Sequence, residues 1–93
     1  METQINAISR VEYRGLNQDE LLITAIRNEY KSNEWVTFLQ ARKLNKNVRK
    51  GEHGVRLVRV FRVEKKKGGN VVKENAVRSF VVFNLEQLED AVA

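Results

Sequence analysis

The chain has no cysteine, no proline and a single histidine among its 93 residues. Without cysteine there is neither a disulfide framework nor a thiolate metal site, and one histidine cannot build a histidine-rich zinc site. Apolar runs are short, the longest being Phe80 to Phe83, far from the roughly 18 residues that a membrane-spanning helix needs. The start, Met1-Glu2-Thr3-Gln4, lacks the basic residues and apolar stretch of a signal peptide. These absences predict a cytoplasmic protein with no membrane segment, no metal and no cofactor, and the lack of cysteine suits a reducing interior.

A chain of this length has room for one domain, expected over residues 1–93. Its 42% hydrophobic and 31% charged content is that of a folded globular protein rather than a disordered one. The formal net charge of +5 is modest, but its distribution is uneven. Residues 1–41 carry 4 basic and 6 acidic groups, residues 42–78 carry 13 basic and 3 acidic, and residues 79–93 carry 3 acidic. A basic segment of net +10 between two acidic ends attracts polyanions, the electrostatic footprint of a nucleic-acid binder.

Asn17, followed by Gln18, Asp19 and Glu20, reads as a helix N-cap, and Leu21, Leu22, Ala25 and Ile26 recur at helical spacing. The pattern predicts a helix over 18–31. Thr37 with Gln40 three residues later is a capping box for a short second helix over 38–44, with Arg42 and Lys43 in its last turn. Residues 45–54 are mostly polar and hold Gly51 and Gly54, so they read as a loop.

The β-branched run from Val55 predicts a strand to Val63, although Arg59 interrupts its alternation; Lys65 to Asn70 reads as a turn and 77–84 as the returning strand. Leu85 to Ala91 reads as a terminal helix, and residues 1–12 fit a short helix or an edge strand equally well. The expected fold is α+β: two helices packed on one face of a small antiparallel sheet with a basic β-hairpin. Phe38, Phe61 and Phe83 are expected in the core, and Phe80 on the opposite strand face.

For catalysis the inventory is thin. Glu52 and His53 are adjacent and diverge, and there is no His-Glu-x-x-His run, no nucleophile elbow and no phosphate-binding Gly-x-x-x-x-Gly-Lys loop. The expectation is a protein that is not an enzyme. For binding, the loop Val48-Arg49-Lys50-Gly51-Glu52-His53-Gly54 combines two glycines with positive charge, a pattern that by itself makes a solvated turn more often than it grips phosphate. Trp35 and Tyr13 are either core residues or platforms for unpaired bases. Arg56 and Arg62 share one face of the first hairpin strand, where arginine beside an aromatic suits single-stranded nucleic acid.

Several blocks together resemble the N-terminal domain of the ArdC antirestriction proteins. They are Tyr13-Arg14-Gly15-Leu16-Asn17, Leu21-Leu22, Trp35 to Ala41, Val48 to Gly54 and Phe80 to Gln87, in that order. The resemblance implies a single-stranded-DNA-binding domain from a plasmid or other mobile element, followed in that family by a zincin-like metallopeptidase. The sequence stops soon after Gln87, so the expectation is the binding domain without the peptidase.

The expected partner is therefore single-stranded DNA. Its candidate contacts are Tyr13, Arg14, Trp35, Arg42, Lys43, Lys46, Arg49, Lys50, His53, Arg56 and Arg62. Two rivals stand beside this reading. One is a winged-helix duplex reader with Lys65 to Lys67 as the wing tip; the other is a small protein-interaction module, acting on a host or mobile-element protein such as a defence nuclease.

Overall fold

The computed structural model describes residues 2–92. Its elements are β1 (Ile5–Asn6), α1 (Leu16–Arg27), β2 (Glu34–Thr37), α2 (Phe38–Lys43), β3 (Lys46–Val48), β4 (Val55–Lys67) and β5 (Asn70–Asn84), then a 3-10 turn (Leu85–Gln87) and β6 (Leu88–Asp90). Four strands form one sheet in the order β1-β2-β5-β4, parallel between β1 and β2 and antiparallel elsewhere, while β3 and β6 make a separate antiparallel pair. The class is α+β, but the strands run well beyond the small sheet expected.

The expected helix positions need three corrections. The first helix begins at Gly15, whose φ of 59° serves as the N-cap without a side-chain bond; Asn17 does not cap it, and its carboxamide instead bonds both backbone groups of Val58. The expected terminal helix is one 3-10 turn, after which the chain extends into β6 and pairs with β3. The helices do not share a face. Trp35 and Val36 are neighbours in β2 and point to opposite sides. Trp35 joins Leu21, Ala25, Leu57 and Val82 under α1, whereas Val36 joins Ala41 and Leu88 beside α2. The capping box of α2 forms as its residues predict, Thr37 accepting from the Gln40 amide. Phe38, expected in the core, is exposed.

Polar residues knit this small body together. The indole Nε1 of Trp35 donates to the buried Gln4 at 2.7 Å, and the Gln18 carboxamide of α1 bonds the backbone of Gln4 and Tyr13. Gln87 donates to the His53 carbonyl at 2.7 Å and accepts from the Asn84 amide at 2.8 Å. Gly54 is required by close approach: a Cβ there would lie 2.3 Å from Val81 Cγ1 and 2.9 Å from the Val82 carbonyl oxygen.

The β4–β5 hairpin is longer than expected, with strands of 13 and 15 residues. It closes through Gly68 and Gly69, both at positive φ, the two-residue connection whose twist matches the strands. Only its base is covered. β2 pairs with β5 at Val82, Phe83 and Asn84 alone, so the outer hairpin is a two-stranded ribbon reaching away from the body. Its projection gives a radius of gyration of 16.3 Å and a longest extent of 52 Å, against a radius of about 13 Å for a compact domain of similar size.

Candidate nucleic-acid interface

The ladder of β4 and β5 places Leu57 opposite Phe80, Arg59 opposite Arg78 and Phe61 opposite Ala76. All six side chains therefore lie on the α1 side of the sheet. Helix α1 covers this face as far as the buried Leu57; beyond it Arg59 and Arg78 are exposed while Phe61 and Phe80 are half-buried. The Arg78 guanidinium lies over the Phe61 ring, 5.7 Å from its centroid. These four residues and Ser79 line a shallow cleft of about 670 Å³.

Two arginines directly opposite one another repel, a cost that cross-strand pairs normally avoid. Neither Arg59 nor Arg78 forms an ion pair among the described residues, although five such pairs occur elsewhere. Paired guanidinium forks without a carboxylate suit a phosphate, and rings on either side suit bases. A second cleft shares Arg59 and Phe80 and continues to Tyr13, Arg14 and Asn17, with one carboxylate, Glu12, on its lining. Tyr13 is held there by a hydrogen bond from Asn6 Nδ2 to its phenolic oxygen. Burial raises the phenol pKa above its ordinary value, more than that bond lowers it.

The structure does not bring the eleven candidate residues to one place. Tyr13 and Arg14 border the Arg59 cleft. Trp35 has no exposed surface, and its ring packs edge-on to Tyr30 with centroids 6.1 Å apart; it is a core residue with no face for a base, which corrects its place among the contacts. Lys46 is paired with Asp90 at 2.7 Å, and this hydrogen bond and charge lower the Asp90 pKa.

Arg49 donates to the Glu86 carbonyl at 2.7 Å and faces Glu52 at 3.7 Å, so it pins the 48–54 loop to the 3-10 turn. His53 and Arg56 line a separate cleft that also holds Glu20 and Glu52, an unfavourable setting for an anion. Arg42, Lys43 and Lys50 are exposed and make no ion pair among the described residues. Arg62 falls on the face opposite Phe61. Arg59, Phe61, Arg78 and Phe80 were not among the expected contacts; the signal for them is the hairpin register, which the Gly68-Gly69 turn determines.

Among the described residues, no three His, Asp or Glu side chains gather to hold a metal ion, and no helix is long and apolar enough to cross a membrane.

The chain matches the family described as the N-terminal domain of anti-restriction factor ArdC over residues 1–86. Among solved structures it is similar to the metal-free antirestriction ArdC protein from the R388 plasmid, with a TM-score of 0.86 and 30% identity over 98% of this chain. The Mn(II)-bound structure of the same R388 protein gives a TM-score of 0.77 and 30% identity over 97% of this chain. The chain spans only 34% and 35% of those two chains. None of the curated proteins matches it. With a family match over 86 of the 93 residues, this chain belongs to the ArdC N-terminal domain family.

Proposed function

We propose that this chain is a non-catalytic module that binds single-stranded DNA, with the ribbon face bearing Arg59, Phe61, Arg78 and Phe80 as the centre of the interface. The observation that carries this reading is the Arg59–Arg78 pair, opposed in register and without a carboxylate, beside two half-buried rings. The guanidinium groups hold a backbone phosphate, and Phe61 and Phe80 stack its neighbouring bases without reading sequence. Tyr13 and Arg14 extend the track past the N-terminus of α1, and the exposed Arg42, Lys43 and Lys50 add long-range attraction. An antirestriction role in a plasmid or phage setting follows from family membership as part of the same proposal.

The duplex-reading alternative fits poorly. A winged helix needs two helices packed as a unit with the second free to enter the major groove, whereas α1 and α2 lie on opposite faces of β2 and α2 has six residues. The test is a titration of labelled single-stranded DNA, duplex DNA and RNA across salt. Single-stranded DNA is expected to bind tightest, with log affinity falling by about 0.7 per phosphate contacted for each unit of log salt. Absence of binding at low salt, or equal affinity for duplex, overturns the reading.

A further inference from the structure

β4 is an edge strand whose free edge has two defined ends. In the ladder with β5 the turn-closing pair Lys67–Asn70 is hydrogen-bonded, so alternate residues of β4, the even-numbered ones, turn their backbone N–H and C=O away from β5. The Asn17 carboxamide confirms this direction at Val58, where it accepts from the N–H at 3.3 Å and donates to the C=O at 2.8 Å. Asn17 thus closes the inner end of the edge, and the Gly68-Gly69 turn closes the outer end. Between them Val60, Arg62, Glu64 and Lys66 present unpaired backbone groups on a ribbon that neither helix covers.

A two-stranded ribbon is marginal in water, and a long edge of this kind is a template for another strand. The midpoint of the free edge is Val63. An antiparallel pairing of two copies that uses the whole edge has its two-fold axis there. In that register Arg62 stands opposite Glu64 of the second copy, Glu64 opposite Arg62, and Val60 opposite Lys66, whose aliphatic stem covers it. Val63 meets its own equivalent as a β-branched pair. Shifting the axis by one residue, with the outward groups still matched, sets Arg62 against itself, or Glu64 against itself with Arg62 facing Lys66. Within one chain neither Arg62 nor Glu64 forms an ion pair among the described residues. The open edge of β5 carries Lys73 alone as a charge and specifies no register.

We infer that a second copy of this chain pairs along the β4 edge about Val63, making a continuous four-stranded antiparallel sheet from two ribbons. The interface is isologous and closes at two. A two-fold axis normal to the sheet leaves both Arg59–Arg78 pairs on one face.

The experiment is sedimentation or light scattering of the full chain without nucleic acid, so its result is independent of DNA binding. Across about 1 μM to about 1 mM the mass is expected to rise to twice 10.8 kDa and stop there. Arg62→Glu alone and Glu64→Arg alone, both at exposed positions, are each expected to lower dimer affinity at least tenfold. Mixing these two variants, or combining both changes in one chain, is expected to restore it, which no loss of folding can imitate. A monomer across the whole range, a dimer indifferent to the charge changes, or growth beyond two copies overturns the proposal.

Discussion

Arg59 and Arg78 face each other across the β4–β5 ladder on the same side of the sheet, and among the described residues neither has an acidic partner. Like charges directly opposite one another cost stability, which sets up an opposition between stability and binding. Arg59→Thr is expected to stabilise the fold by about 0.2–1 kcal/mol through loss of the like-charge pair. The same change is expected to weaken single-stranded DNA and reduce the salt slope by about 0.7. Thermal melts and anisotropy titrations of one variant check both signs.

Phe61→Ala separates stacking from charge. It is expected to weaken single-stranded DNA by about 1–3 kcal/mol if a base rests on the ring, leaving the salt slope unchanged because no cation is lost. A slope that falls with the affinity shows that the ring acts mainly by holding Arg78.

Trp35→Phe is expected to cost about 2–4 kcal/mol, since it leaves the buried side-chain Oε1 of Gln4 without its donor and opens a gap beneath α1. DNA affinity of the folded fraction is expected to stay within twofold. Urea unfolding with a parallel binding titration checks this, and a large selective loss of binding would return Trp35 to the interface.

Two substitutions test backbone geometry with opposite signs. Gly54→Ala puts a Cβ against Val81 and the Val82 carbonyl and is expected to destabilise by about 1–3 kcal/mol. Glu29, just past the end of α1, has a φ of 56°, and the Tyr30 amide beyond it bonds the Ala25 carbonyl at 2.9 Å, the arrangement that glycine favours. Glu29→Gly is expected to stabilise by about 0.5–1 kcal/mol. Melting temperatures of the two variants should move apart.

Near the ribbon tip a hydrogen bond from Lys67, and then the charge of Lys65, hold the Glu74 carboxyl below its ordinary value of 4.5. A lowered carboxylate pKa contributes stability that is present above the unfolded value and lost as pH falls through the folded one. Carboxyl NMR is expected to give a Glu74 midpoint below 4.5, and amide protection near the turn, corrected for the intrinsic exchange rate, should fall in acid below that value. In Glu74→Gln the protection is expected to lose this acid dependence.

What was legible in the sequence was local. The Thr37–Gln40 box marks the start of α2, and the apolar spacing of Leu21 and Ala25 marks the buried side of α1, because both depend on residues within one or two turns. The family resemblance was equally legible, carried by short blocks in order. Asn17 misled because a side chain suited to capping found a strand edge to bond instead, a choice made by residues 41 positions away. Trp35 was ambiguous because its burial depends on Gln4 and α1 arriving over it. Arg59 and Arg78 fall inside the strands expected over 55–63 and 77–84, but that they face each other depends on the register, which is reached only by carrying the ladder back from the two glycines of the turn.

The division of β2 between two cores bears on folding order. Trp35 and Val36 anchor separate clusters, and β2 meets β5 through only three residue pairs, about 47 positions apart in the chain. The ribbon, by contrast, closes through a two-residue turn and zips between near neighbours, a process of microseconds. Docking of β2 is then expected to be the slower event, joining both helices to the hairpin. The single tryptophan, buried at that seam, is expected to report this closure by its fluorescence and to be silent on pairing further out along the ribbon.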